Sequence, residues 1–124
     1  MLGIDHVQLA IPRGAEDECR VFYIDFLGMR ELTKPPALAA RGGLWLESGP
    51  VRIHLGMEDD FRPARKAHPA IEVADLDGLA RQLSEAGHVT AWDEAIPDVR
   101  RFYVDDPVGN RIEFIAGGKA SYTA

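Results

Sequence analysis

Arg52-Ile53-His54-Leu55 and Arg111-Ile112-Glu113-Phe114 are one four-residue pattern written twice, at an offset of 59 from residue 52 to residue 111. Leu27-Gly28 and Ala86-Gly87 stand at the same offset, each closing a helical stretch. His6 and His68 each open a strand-like run, 62 positions apart. Matches in the same order at a shared spacing predict one supersecondary unit built twice.

The hydrophobic pattern around these anchors gives both halves the same order. Residues 4–11 alternate and read as a strand, ended by Pro12, Arg13 and Gly14. Residues 15–27 carry apolar positions at 19, 22, 23, 26 and 27, a helical stripe. Glu16, Asp17 and Glu18 suit the positive end of its dipole, and Gly28 terminates it. Short strands are expected at 29–32, 43–48 and 51–56, with Gly49-Pro50 turning between the last two. In the second half a strand at 68–73 precedes a helix capped by Asp75 and running to residue 86. Strands at 89–93, 101–105 and 111–115 follow, with a turn at 106–109. The predicted class is α+β: paired βαβββ modules forming a curved, cup-shaped mixed sheet with helices on the outer face. One domain of 124 residues is expected, with module 1 at 1–56, a charged connector at 57–67, module 2 at 68–115 and a loose tail at 116–124. Pro35-Pro36 reads as a rigid loop spacer.

Alternation along a strand sorts side chains by face. Val7, Leu9 and Ile11 oppose His6 and Gln8; Ile53 and Leu55 oppose Arg52 and His54; Ile71 and Val73 oppose His68 and Glu72; Ile112 and Phe114 oppose Arg111 and Glu113. One face is thus apolar, and the other carries one His or Glu per strand. Three imidazoles and a carboxylate suit a borderline divalent ion (Zn, Ni, Co, Mn or Fe(II)), with His6 paired to His54 and His68 to Glu113. Trp45, Glu47, Arg101 and Tyr103 fall on the same face and are the expected substrate-pocket residues. Glu47 and Glu72 read first as solvated charges, as do Arg41 and the stretch from Arg62 to Lys66. His88 reads as a surface residue at a helix end.

Composition narrows the function classes. With 46% hydrophobic residues the chain can fold, and a net charge of −6 without a basic patch argues against nucleic acid. The single Cys19 makes no internal disulfide and sits on the helical stripe as a small buried hydrophobe. No apolar run is long enough for a membrane span and no basic signal-peptide start is present, so a cytoplasmic location is expected.

Asp5-His6-Val7, Phe22-Tyr23 before Leu27-Gly28, His68, and the stretch Phe102-Tyr103-Val104-Asp105-Asp106-Pro107-Val108-Gly109-Asn110-Arg111-Ile112-Glu113-Phe114 carry a resemblance. The chain resembles the vicinal oxygen chelate superfamily, which includes glyoxalase I, fosfomycin-resistance transferases, extradiol dioxygenases and bleomycin-resistance proteins. The resemblance implies metal ligation by His6, His68 and Glu113. It places His54 at the fourth ligand position, where glyoxalase I carries a proton-moving glutamate, so Glu113 and His54 are the expected catalytic positions. It also implies a homodimer, a divalent metal and a small-molecule substrate. The reading that follows is a metal-dependent lyase or isomerase chelating neighbouring substrate oxygens. An Fe(II)-dependent extradiol-type dioxygenase and a metal-free drug-binding protein remain as alternatives.

Overall fold

The computed structural model describes residues 1–117. Its order is β1 (Val7–Ile11), α1 (Glu16–Arg20) running into a π-helical turn (Val21–Phe26), β2 (Arg30–Leu32), α2 (Pro36–Ala39), β3 (Leu44–Ser48), β4 (Val51–Met57), β5 (Ala70–Val73), α3 (Leu76–Glu85), β6 (Ala91–Trp92), β7 (Arg101–Asp105) and β8 (Arg111–Ala116). The fold is α+β, and the two βαβββ modules are present. Each module forms its own four-stranded mixed sheet, ordered β1-β4-β3-β2 and β5-β8-β7-β6. In each, the first strand pairs parallel to the last, and the remaining pairs are antiparallel. The spacing of 59 residues is therefore a repeat of topology as well as of letters.

By contacts the chain divides into two compact units. The first is Met1–Arg65 with Asp106–Asn110; the second is Lys66–Asp105 with the described residues from Arg111. Strand parity holds in both. In the first, Leu9, Ile11, Leu44, Leu46, Ile53 and Leu55 are buried. In the second, Phe102, Val104, Ile112 and Phe114 are buried, and Leu76, Ala80 and Leu83 of α3 are buried with them. The carboxylate of Asp75 caps α3, accepting from the Gly78 amide at 2.9 Å. Cys19 is fully buried, and burial pushes its thiol up to about 12, so it is an inert core residue.

Several boundaries differ from the sequence expectation. The helix expected at 15–27 is α-helical only to Arg20. Beyond it the Leu27 amide reaches five residues back to the Phe22 carbonyl, at 3.1 Å, which widens the turn. The stretch at Pro35-Pro36 is more than a spacer, because Pro36 opens α2 with its ring already set to helical φ. β1 begins at Val7, leaving His6 just before the ladder and Ile4 exposed. β5 begins at Ala70, because Pro69 has no amide hydrogen to donate, although its carbonyl accepts from Glu113 at 3.0 Å. β6 shrinks to two residues, with Val89 exposed. β4 and β8 each run one residue past expectation, to Met57 and Ala116. Most of the expected tail, residues 118–124, lies outside the described residues.

Candidate metal centre and its surroundings

In the first unit β4 carries His54 between two strand neighbours, Gln8 on β1 and Trp45 on β3. Its ring is the middle of a stack. His6 lies on one side, with centroids 3.8 Å apart and planes 15° apart; Trp45 lies on the other, at 4.7 Å and 13°. Asp5 holds the His6 ring through Nδ1 at 2.9 Å. Burial, then the neighbouring His6, lowers the His54 pKa, against an opposing pull from Asp5. The middle ring is thus biased to its neutral form, the form that ligates metal.

In the second unit β8 carries Glu113 opposite Tyr103 of β7, as β4 carries His54 opposite Trp45. Each sheet sets an aromatic ring directly across from one candidate ligand. Glu113 is a buried carboxylate. Its Oε1 lies 3.0 Å from His68 Nε2, and its Oε2 faces Arg101 Nη1 at 3.4 Å. His68 Nδ1 lies 2.7 Å from the Lys66 carbonyl oxygen. A carbonyl only accepts, so Nδ1 carries the hydrogen and the neutral ring keeps its lone pair on Nε2. The His68 ring meets Tyr103 edge-on at 5.3 Å, and Arg111 lies over the Tyr103 ring at 5.0 Å.

The structure therefore brings the four candidate ligands together as two pairs, His6 with His54 and His68 with Glu113. Among the described residues no group of three or more His, Cys, Asp or Glu is placed to hold one ion. Of the four expected pocket residues, Trp45 and Tyr103 flank the pairs. Arg101 is half-buried between Glu113 and Asp93. Glu47 is engaged in ion pairs with Arg30, through Nε at 3.0 Å, and with Arg52 at 3.7 Å. Glu72 is exposed on β5, and His88 is half-buried just after α3.

Two further features lie away from the candidate ligands. A cleft of about 780 Å³ in the first unit is lined by Glu16, Arg20, Glu31, Thr33 and Lys34, none of them a candidate ligand. Its charges are already engaged: Arg20 with Asp17 and Glu31, and Glu16 with the Gly43 amide. The second feature is a buried polar knot around Asp106 and Asn110. Asp106 accepts from Tyr23 Oη at 2.7 Å and from the amides of Val108 at 3.1 Å and Asn110 at 2.8 Å. Asn110 donates to the Ala10 carbonyl at 2.8 Å and accepts from the Ala64 amide at 2.9 Å. The motif Asp106-Pro107-Val108-Gly109-Asn110 is the signal that could have found it, since a buried Asp and Asn beside a Gly turn need partners.

Comparison with known proteins agrees with this architecture. Residues 3–114 match the Glyoxalase/Bleomycin resistance protein/Dioxygenase superfamily, and the chain belongs to that superfamily. A crystal structure of a glyoxalase family protein from Bacillus anthracis is 48% identical, superimposes with a TM-score of 0.90, and covers 95% of this chain and 97% of its own. A glyoxalase/dioxygenase from Nostoc punctiforme is 21% identical, with a TM-score of 0.76 and coverage of 95% and 92%. The fosfomycin resistance protein FosX from Listeria monocytogenes is 14% identical, with a TM-score of 0.76 and coverage of 95% of each chain. These last two share the fold. No curated protein matches the chain. Among the described residues no helix is long and apolar enough to cross a membrane.

Proposed function

We propose that the chain is a metal-dependent enzyme, a lyase or isomerase that grips two neighbouring oxygens of a small molecule. The observation that carries this reading is the facing pair His68 Nε2 and Glu113 Oε1, 3.0 Å apart. With the Lys66 carbonyl holding the ring hydrogen on Nδ1, two lone pairs point at each other. A proton or a metal cation between the two atoms reconciles such a pair. Ligand bonds of roughly 2.0–2.2 Å, about a right angle apart, separate two donor atoms by about 3 Å, so the pair fits one divalent ion. A mutant of the Listeria FosX has been crystallised with Mn(II) and 1S,2S-dihydroxypropylphosphonic acid, whose two hydroxyls are on adjacent carbons. That complex supports a divalent ion and a vicinal-oxygen ligand for this fold.

Two ligands are too few for a resident ion, and neither pair gains a third among the described residues. We read the protein as a homodimer, with His6, His54, His68 and Glu113 as the ligand set. The ion would be Zn, Ni, Co, Mn or Fe(II), as mixed imidazole and carboxylate donors suit all of them. When bound, it supplies Lewis-acid polarisation of a substrate carbonyl. His54 acts as a ligand; a ligated nitrogen has no lone pair for proton transfer. Trp45 and Tyr103 wall the site and orient the substrate. Glu47 is held by two arginines and is a poor general base.

Elemental analysis of protein purified without chelator tests the reading, together with thermal shifts on adding Ni(II), Co(II), Zn(II), Mn(II) or Fe(II). A bound ion is expected, with His68→Ala losing more of it than His54→Ala. Absence of metal and of any shift overturns the reading.

A further inference from the structure

The side chain of Arg101 reaches Glu113 in a chain of oriented groups, all within the second unit. The Ala95 amide donates to Asp93 Oδ1 at 2.8 Å, which fixes that carboxylate. Arg101 Nη2 donates to Asp93 Oδ2 at 3.1 Å, and Nη1 reaches Glu113 Oε2 at 3.4 Å. Glu113 Oε1 then faces His68, whose other nitrogen is held by Lys66. Arg101 Nε is buried with no hydrogen-bond partner. A guanidinium that leaves a buried donor unsatisfied is held in place by its two carboxylates rather than by its own best solvation. Arg101 and Glu113 sit diagonally on adjacent strands, Arg101 being two residues from Tyr103, which lies opposite Glu113, so the pairing is set by sheet register.

We propose that Arg101 is a positioning residue that makes Glu113 a one-oxygen ligand. This rests on the metal reading above. By occupying Oε2, Arg101 leaves only Oε1 to ligate, and the position that a second carboxylate oxygen would fill stays open for substrate. Its positive charge also restrains the affinity of the carboxylate for a dication. Without it, Glu113 is free to chelate through both oxygens. Arg101 removal thus tightens metal binding and closes a substrate position, the opposite of what loss of a mere support does.

The test uses full-length protein stripped of metal and titrated with Co(II), read by visible absorption and calorimetry. Arg101→Gln is expected to bind Co(II) about tenfold more tightly, because a positive charge is removed from beside the carboxylate; this is the opposite sign to the loss that removing a group behind a ligand usually brings. Its absorption should also weaken as coordination number rises, and Arg101→Lys should restore both readings toward wild type. Weaker Co(II) binding by Arg101→Gln, or an unchanged spectrum, overturns the proposal while leaving the metal reading standing. If wild type itself takes up no Co(II), the metal reading fails and this proposal with it. Should Arg101→Gln not fold, Asp93→Asn serves instead. Freed from Asp93, Arg101 closes on Glu113, so Co(II) binding should weaken severalfold, and unchanged affinity counts against the role.

Discussion

The hydroxyl of Tyr23 donates to the buried carboxylate of Asp106 at 2.7 Å, joining residues 83 positions apart within one compact unit. Tyr23 is completely buried and Asp106 nearly so. Tyr23→Phe removes the donor and keeps the ring, so Asp106 loses one of its partners in a place water does not replace. Urea unfolding should show a loss of about 1–3 kcal/mol. No loss would mean that the two amides satisfy Asp106 alone.

Burial holds the Asp106 carboxyl above its ordinary 3.8, against hydrogen bonds from Tyr23, Asn110 and Val108 that pull it down. Between 3.8 and the raised value the native protein binds more protons than the unfolded chain. The contribution of this group to stability is therefore full below 3.8 and declines as pH rises through the raised value. Asp106→Asn cannot titrate. The unfolding free energy of wild type minus that of Asp106→Asn should fall with rising pH across this window. A difference that rises instead would put the native pKa below the unfolded one.

Glu16 works with the opposite sign. The Gly43 amide donates to its carboxylate at 2.9 Å, and this bond, more than burial opposes it, lowers the pKa from 4.5. Its contribution is present above 4.5 and is lost as pH falls through the lowered value. The advantage of wild type over Glu16→Gln, followed by thermal unfolding, should shrink on acidification. An advantage independent of pH would show that the charge contributes nothing.

Two glycines of like φ should respond differently to alanine. Gly43 has φ +82°, and an added Cβ would lie 2.2 Å from the Leu55 carbonyl oxygen, where β3 meets β4. Gly87 has φ +93° but open space around it. Gly87→Ala should cost only the left-handed strain, about 1–2 kcal/mol, whereas Gly43→Ala forces two strands apart and should cost at least about 3 kcal/mol. Equal costs in denaturant unfolding would refute the clash.

Trp45 stacks on His54, whereas the other tryptophan, Trp92, packs against Phe102 and Arg100. If His54 ligates metal, Co(II) or Ni(II) should quench the Trp45 part of the fluorescence. Trp45→Phe should then abolish most of that quenching without preventing uptake of the ion. Quenching that survives in Trp45→Phe would place the ion away from the stack.

The sequence by itself determined the two modules and the face each side chain takes. Alternation forced Ile53 and Leu55 inward and left His54 and Trp45 on the other side, because a strand has only two faces. Asp75 capped its helix as a local motif must, since donor and acceptor lie three residues apart. The face shared by His54 and Trp45 was legible because parity is a short-range property. What only the tertiary structure decided depends on contacts between distant segments. Nothing local tells that the π-helical turn after Arg20 breaks the helical stripe, or that Asp106–Asn110 belongs with the first unit through Tyr23, Ala10 and Ala64. Nor does parity say which polar groups on one face will touch. The repeat suggested the pairs His6 with His54 and His68 with Glu113, but the ring stack, the 3.0 Å contact and the register that aims Arg101 at Glu113 came only with the folded strands.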